Sequence, residues 1–219
     1  MQIPNLKLRW IEFVLLYLVT PPVLMVILPP GGLIPALWAG GIIAAVVLWR
    51  TAEPTQVGSV SPRPSLGKAY LQIAVRFLII SALLTVTLWF HHDDWLFQFP
   101  RKNSRLWFLV MMAYPLLSVF PQAIVYRKFY ERRYVPLFTS KTVSWWVGAL
   151  VFSWAHIPFR NPVALVFTFF GGLMFLATYR KTNRLSCSIV EHALYGDFIF
   201  TVGWGIYLLH GTVALLQST

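Results

Sequence analysis

The chain has 219 residues, of which 58% are hydrophobic and 11% charged, with ten tryptophans and a net charge of +11. So little charge excludes an ordinary water-soluble domain of this size and makes the bilayer the expected solvent. The basic residues lie in short groups between apolar runs, a membrane-orientation pattern rather than a nucleic-acid surface, and the single cysteine, Cys187, excludes a disulfide framework or a four-thiolate zinc site.

A membrane-crossing helix needs about 20 largely apolar residues. In chain order the sequence predicts spans over 10–28, 33–49, 69–90, 106–127, 142–156, 162–179 and 185–209, the fifth short and able to run on towards Phe159. The first run lacks a small-residue cleavage site and reads as a retained helix rather than a signal peptide. The segment 50–68, with Pro54, Pro62, Pro64 and two glycines, reads as a polar loop. The segment 91–105 mixes Trp95, Phe97 and Phe99 with charges and reads as interfacial. No internal repeat and no second domain is visible. The expectation is all-α: one integral membrane domain over 1–219, a bundle of about seven transmembrane helices.

Seven crossings put the termini on opposite sides. Thirteen basic residues then share one side (Lys7, Arg9, Arg50, Arg63, Lys68, Arg127, Lys128, Arg132, Arg133, Lys141, Arg180, Lys181 and Arg184), against four (Arg101, Lys102, Arg105 and Arg160) on the other. Positive charge marks the cytoplasmic side, so the N-terminus is expected there and the C-terminus outside.

Ionisable groups inside spans are costly, roughly 2 to 4 kcal/mol on insertion scales, and point to chemistry. Three segments concentrate them: Pro121-Gln122-Ala123-Ile124-Val125-Tyr126-Arg127; Phe152-Ser153-Trp154-Ala155-His156; and Glu191-His192-Ala193-Leu194-Tyr195-Gly196-Asp197. Position 123 and Arg127 lie one helical turn apart, as do Phe152 and His156, and His192 and Gly196, with Asp197 one step round. Gln122 is offset but within reach of the same cavity. Arg76, in mid-span, needs a partner, and Glu191 or Asp197 are the candidates. Gly171-Gly172 suits close helix packing. His91-His92-Asp93-Asp94 reads as a solvated polar turn rather than a metal cluster, and Glu12 as a headgroup-level residue.

The three segments resemble the motifs of the CAAX-prenyl-protease and bacteriocin-processing (CPBP or Abi) family of intramembrane peptidases. That family carries Glu-Glu-x-x-x-Arg, then Phe-x-x-x-His, then His-x-x-x-Asn/Asp. A bacterial branch begins its first motif Gln-Glu, with Pro before it, and the stretch from Ser118 to Arg127 resembles that branch. Phe169-Phe170-Gly171-Gly172-Leu173 and Tyr179-Arg180-Lys181-Thr182 agree with it, and the resemblance covers 106–207. There are two departures. Ala123 stands where the branch has glutamate, and Gly196 is the fourth residue after His192, the acidic Asp197 following one later, an arrangement typical of that branch.

The resemblance implies a glutamate-type endopeptidase of the bacterial inner membrane. Its substrate would be a membrane-anchored or lipid-modified protein. A glutamate at 123 would be the general base, oriented by His156 and fixed by Arg127. His192, with Asp197, would support the oxyanion. Glu191 is a further candidate, equally suited to pairing an arginine. With Ala123 in place the chain is expected to be inactive, and no cofactor is expected. The alternatives are a pseudoprotease that holds membrane helices without cutting them, and a zinc enzyme using His156, His192 and a carboxylate, although Arg127 opposes a dication. A transporter is disfavoured by the lack of inverted-repeat symmetry. Span counting places Gln122 and His192 towards the cytoplasmic half and His156 nearer the outer end. A shared site therefore requires the fourth helix to extend, or the fifth to be displaced.

Overall fold

The computed structural model describes residues 6–29, 31–51 and 62–208, and all regular structure among them is helical. Seven longer helices follow one another: α1 Leu6–Ile27, α2 Leu33–Thr51, α3 Leu66–His91, α4 Ser104–Arg133, α5 Lys141–Trp154, α6 Pro162–Thr182 and α7 Leu185–Val202. Each matches one expected apolar run, yet only α1, α2, α3, α4 and α6 are long and apolar enough to cross a membrane. The other two differ for physical reasons. α5 has 14 residues, about 21 Å at 1.5 Å per residue, because the chain turns at His156. α7 is diluted by Glu191, His192 and Asp197. The chain is a multi-pass membrane protein whose two least lipid-like helices carry site residues.

α1 and α4 are not regular α-helices. α1 widens into a π-helical turn at Leu15–Val19, and α4 does so twice, at Pro115–Val119 and Ile124–Phe129. Pro115 and Pro121 have no N–H to close an α turn, which favours such widening. Side chains take up carbonyls in all three wide turns. Tyr17 Oη donates to Val125 O at 2.8 Å, Trp38 Nε1 to Leu117 O at 3.0 Å, and Thr20 Oγ1 to Leu15 O at 2.8 Å.

α4 continues six residues beyond its expected end at 127. Ion pairs anchor the extension: Arg180 Nε donates to Glu131 Oε1 at 2.7 Å, and Arg133 Nη2 to Glu12 Oε2 at 2.7 Å. Tyr134 Oη adds a bond to Glu12 at 2.8 Å, so Glu12 ties α1 to the end of α4. Phe13, Tyr17, Tyr130 and Tyr134 form a buried aromatic cluster beneath it.

α5 lies along α6 through two glycines. A Cβ on Gly148 would meet Leu176 Cδ2 at 2.5 Å, and one on Gly172 would meet Ala149 Cα at 3.0 Å. Between α3 and α4 a 3₁₀ turn, Asp93–Trp95, and a short helix, Gln98–Lys102, occupy the expected interfacial segment. His92 stacks on Trp95 with ring centres 4.1 Å apart. α7 stops at Gly203, whose φ is +130°, before a 3₁₀ turn at Trp204–Tyr207. The expected end of the last span at 209, and 52–61 of the expected loop, lie outside the described residues.

Candidate active site

The three motif segments converge on one cavity of about 1380 Å³. Gln122 comes from α4, His156 from the turn after α5, and His192 from α7, and all three line it. Most of the remaining wall is apolar, with Leu24, Met25, Leu37, Phe167 and Met174 among its residues. The histidines flank a shared ring: the Phe152 centroid is 4.8 Å from that of His156 and 5.6 Å from that of His192.

His156 has a defined tautomer. Its Nδ1 lies 2.7 Å from Phe152 O, and a carbonyl only accepts, so Nδ1 carries the proton and Nε2 keeps its lone pair. Phe159 stacks on the same ring at 5.6 Å. His192 is held differently. Phe175 stacks on it at 4.5 Å, and its Nε2 lies 3.2 Å from Tyr114 Oη.

Gln122 Nε2 donates to Ser118 Oγ at 2.8 Å, and its Oε1 is buried with no hydrogen-bond partner among the described residues. Ala123 is 1% exposed and lies behind the cavity wall rather than on it. Arg127 is equally buried; its guanidinium carbon lies 4.3 Å from the Phe152 centroid and 5.2 Å from that of Phe175. Neither terminal nitrogen of Arg127 has a hydrogen-bond partner among the described residues. A buried guanidinium with no hydrogen-bonded anion is costly, and position 123 carries an alanine.

Glu191, fully buried, is ion-paired with Arg76, which also donates to Thr178 Oγ1 at 2.8 Å. The expected partner of Arg76 is thus Glu191 and not Asp197. Arg76 itself reaches the cavity wall. Asp197 is half-buried, is not a wall residue, and has one carboxylate oxygen without a hydrogen bond among the described residues. The geometry therefore gathers Gln122, His156 and His192 on the wall and Arg127 immediately behind it, and leaves Glu191 and Asp197 to one side.

Among the described residues no three of His, Cys, Asp and Glu gather as a metal-binding group. His156 is bonded through Nδ1 and His192 through Nε2, and Glu191 is paired with Arg76.

Tyr114, Ser118 and Phe175 also line the cavity, and of these only Ser118 belongs to a motif segment. The first two have a signal in the sequence. Tyr114, Ser118 and Gln122 recur every fourth residue in an otherwise apolar helix, the spacing of a polar stripe on one face.

Residues 103–196 match the family described as type II CAAX prenyl endopeptidase Rce1-like. The likeness is confined to this segment, under half of the chain. The match runs from the start of α4 to Gly196 and holds Gln122, Arg127, His156 and His192, whereas α1, α2 and α3, outside it, complete the cavity wall. The Rce1-like proteins are an intramembrane peptidase family, which agrees with a multi-pass helical chain. No curated protein and no solved structure matches the chain.

Proposed function

We propose that this chain is a glutamate-type intramembrane endopeptidase whose first motif has lost its carboxylate. It holds a substrate segment and cleaves it very slowly. The observation that carries this reading is the convergence of Gln122, His156 and His192 on one cavity within the Rce1-like segment.

Peptide hydrolysis needs a water, a base to take its proton, a donor for the leaving amine and a stabiliser for the oxyanion. His156 presents Nε2 as an acceptor, its Nδ1 proton held by Phe152 O. It orients water and shares its proton, but lacks a carboxylate to relay to. His192 sits across Phe152, placed to stabilise the oxyanion. Arg127 is the cation that would fix a glutamate at 123. Gln122 polarises water through its amide but cannot take its proton. Catalysis of this kind uses no metal.

The substrate is the membrane-anchored or lipid-modified end of a protein, entering from the apolar part of the cavity. The host membrane is the bacterial inner membrane, with the N-terminus cytoplasmic. The basic residues of 127–141 and 180–184, set against those of 101–105, support that orientation.

The test is to install the carboxylate. Ala123→Glu should raise cleavage of a quenched fluorescent peptide ending in a farnesylated CAAX sequence by about 100- to 10,000-fold, and His156→Ala should remove most of that gain. A chelator should leave the activity unchanged. If Gln122→Glu cleaves while Ala123→Glu stays inert, the base belongs on the wall itself. Inertness of both, with retained binding of the peptide, would favour the pseudoprotease reading.

A further inference from the structure

The departure in the third motif has a structural counterpart. Four residues after His192, where the family pattern has asparagine or aspartate, stands Gly196. A Cβ built there would collide with the ring and hydroxyl of Tyr114. The Tyr114 ring occupies the space that a side chain at 196 would need, and its hydroxyl lies 3.2 Å from His192 Nε2. Phe200, one turn beyond Gly196, packs edge-on against the same tyrosine at 5.3 Å. Tyr114 also stands on the cavity wall, one turn before Ser118 and two before Gln122.

We infer that Tyr114 is a positioning residue for His192, seated on Gly196, and takes the place that the family pattern gives to the side chain four residues after this histidine. The inference rests on the peptidase reading for its consequence in catalysis, but the hydrogen bond itself does not. A phenol is the stronger donor and a neutral imidazole nitrogen the stronger acceptor. Tyr114 Oη therefore donates to Nε2, and the His192 ring proton sits on Nδ1. Ring stacking on Phe175 sets the plane of the imidazole, and the phenol sets its rotation within that plane. Gly196 is thereby a requirement of the site: any side chain there displaces the tyrosine.

Two measurements test this on the full chain in lipid nanodiscs. The first needs no activity. With ¹⁵N-labelled histidine, Tyr114→Phe should move the Nε2 resonance of His192 and leave those of His156 in place. An unchanged His192 resonance would overturn the inference. The phenylalanine keeps the ring on its seat, so the fold is preserved while the hydrogen bond is lost.

The second uses Ala123→Glu as the active background. There Tyr114→Phe should lower kcat about tenfold, the worth of one hydrogen bond, with KM unchanged. Gly196→Ala should cost at least as much, and adding Tyr114→Phe to it should cost little more, because both changes remove one interaction. Losses that multiply in the double variant, or a change confined to KM, would overturn it. If Ala123→Glu and Gln122→Glu are both inert, the peptidase reading fails alone, and the histidine resonance still decides whether Tyr114 holds His192.

Discussion

The guanidinium carbon of Arg127 lies 4.3 Å from the centre of the Phe152 ring, and Phe152 in turn separates the imidazoles of His156 and His192. One aromatic ring thus joins the basic end of the first motif to the histidines of the second and third. The cation rests on that ring and on Phe175 instead of on a carboxylate.

The stability of the Arg127 site should change sign with residue 123. In the chain as it stands, Arg127→Met removes a buried charge that has no hydrogen-bonded anion and should stabilise by about 1 to 4 kcal/mol. In the Ala123→Glu background the same change strands a buried carboxylate and should destabilise by about 3 to 5 kcal/mol. Thermal unfolding of the four proteins in one detergent measures this. Equal shifts in both backgrounds would mean that position 123 does not face the arginine.

The ion pair between Arg76 and Glu191 should behave as a unit. Glu191 is fully buried and Arg76 about a third exposed. Arg76→Met alone should cost about 3 kcal/mol by leaving the carboxylate unpaired, while Arg76→Met with Glu191→Met should recover most of that loss. A double-mutant cycle by thermal or denaturant unfolding reads the coupling, and a value near zero would refute the pairing.

Glycines at helix contacts should separate sharply from those in open space. Gly148→Ala places a methyl 2.5 Å from Leu176 Cδ2 and 2.9 Å from Tyr130 Cε1, and should cost about 1 to 3 kcal/mol. Gly40→Ala meets nothing within 4 Å and should stabilise α2 by about 0.5 to 1 kcal/mol. Unfolding midpoints of the two variants make the comparison.

Orientation can be read at two turns. A reporter active only outside the cytoplasm, fused after Asn103 between α3 and α4, should give signal. The same reporter after Asn183, between α6 and α7, should be silent, because Arg180, Lys181 and Arg184 surround it. The reverse pattern would invert the topology.

Much of this arrangement was legible in the sequence because hydrocarbon penalises polarity so heavily. Order and spacing of Gln122, Arg127, His156 and His192 sufficed to bring them together, and an arginine at 76 could only persist with a carboxylate such as Glu191. What stayed hidden depended on helix shape. Reading every turn as 3.6 residues, Ala123 should face the site with Arg127; in a helix widened on both sides of this point, Gln122 reaches the wall and Ala123 falls behind it. The seat of Tyr114 was equally invisible, since a tyrosine in an apolar run ordinarily reads as an interfacial residue, and a glycine at 196 has meaning only once the neighbouring helix is in view. The extension of α4 past 127 was masked by Lys128, Arg132 and Arg133, which look like the end of a span until Glu12 and Glu131 are found holding that end of the helix.

The wide turn at Ile124–Phe129 closes its hydrogen bonds over five residues, where an α turn uses four. In geometric terms it holds one residue more than the α turn it replaces, inside a helix rather than in a loop. Deleting a single residue from it would restore α geometry without shortening any connection, while rotating everything beyond it, Glu131 and Arg133 included, by about 100° relative to Gln122. A gap of one at this point in a comparison of relatives would therefore mark a change in which side chains meet the cavity, even where every motif letter is retained.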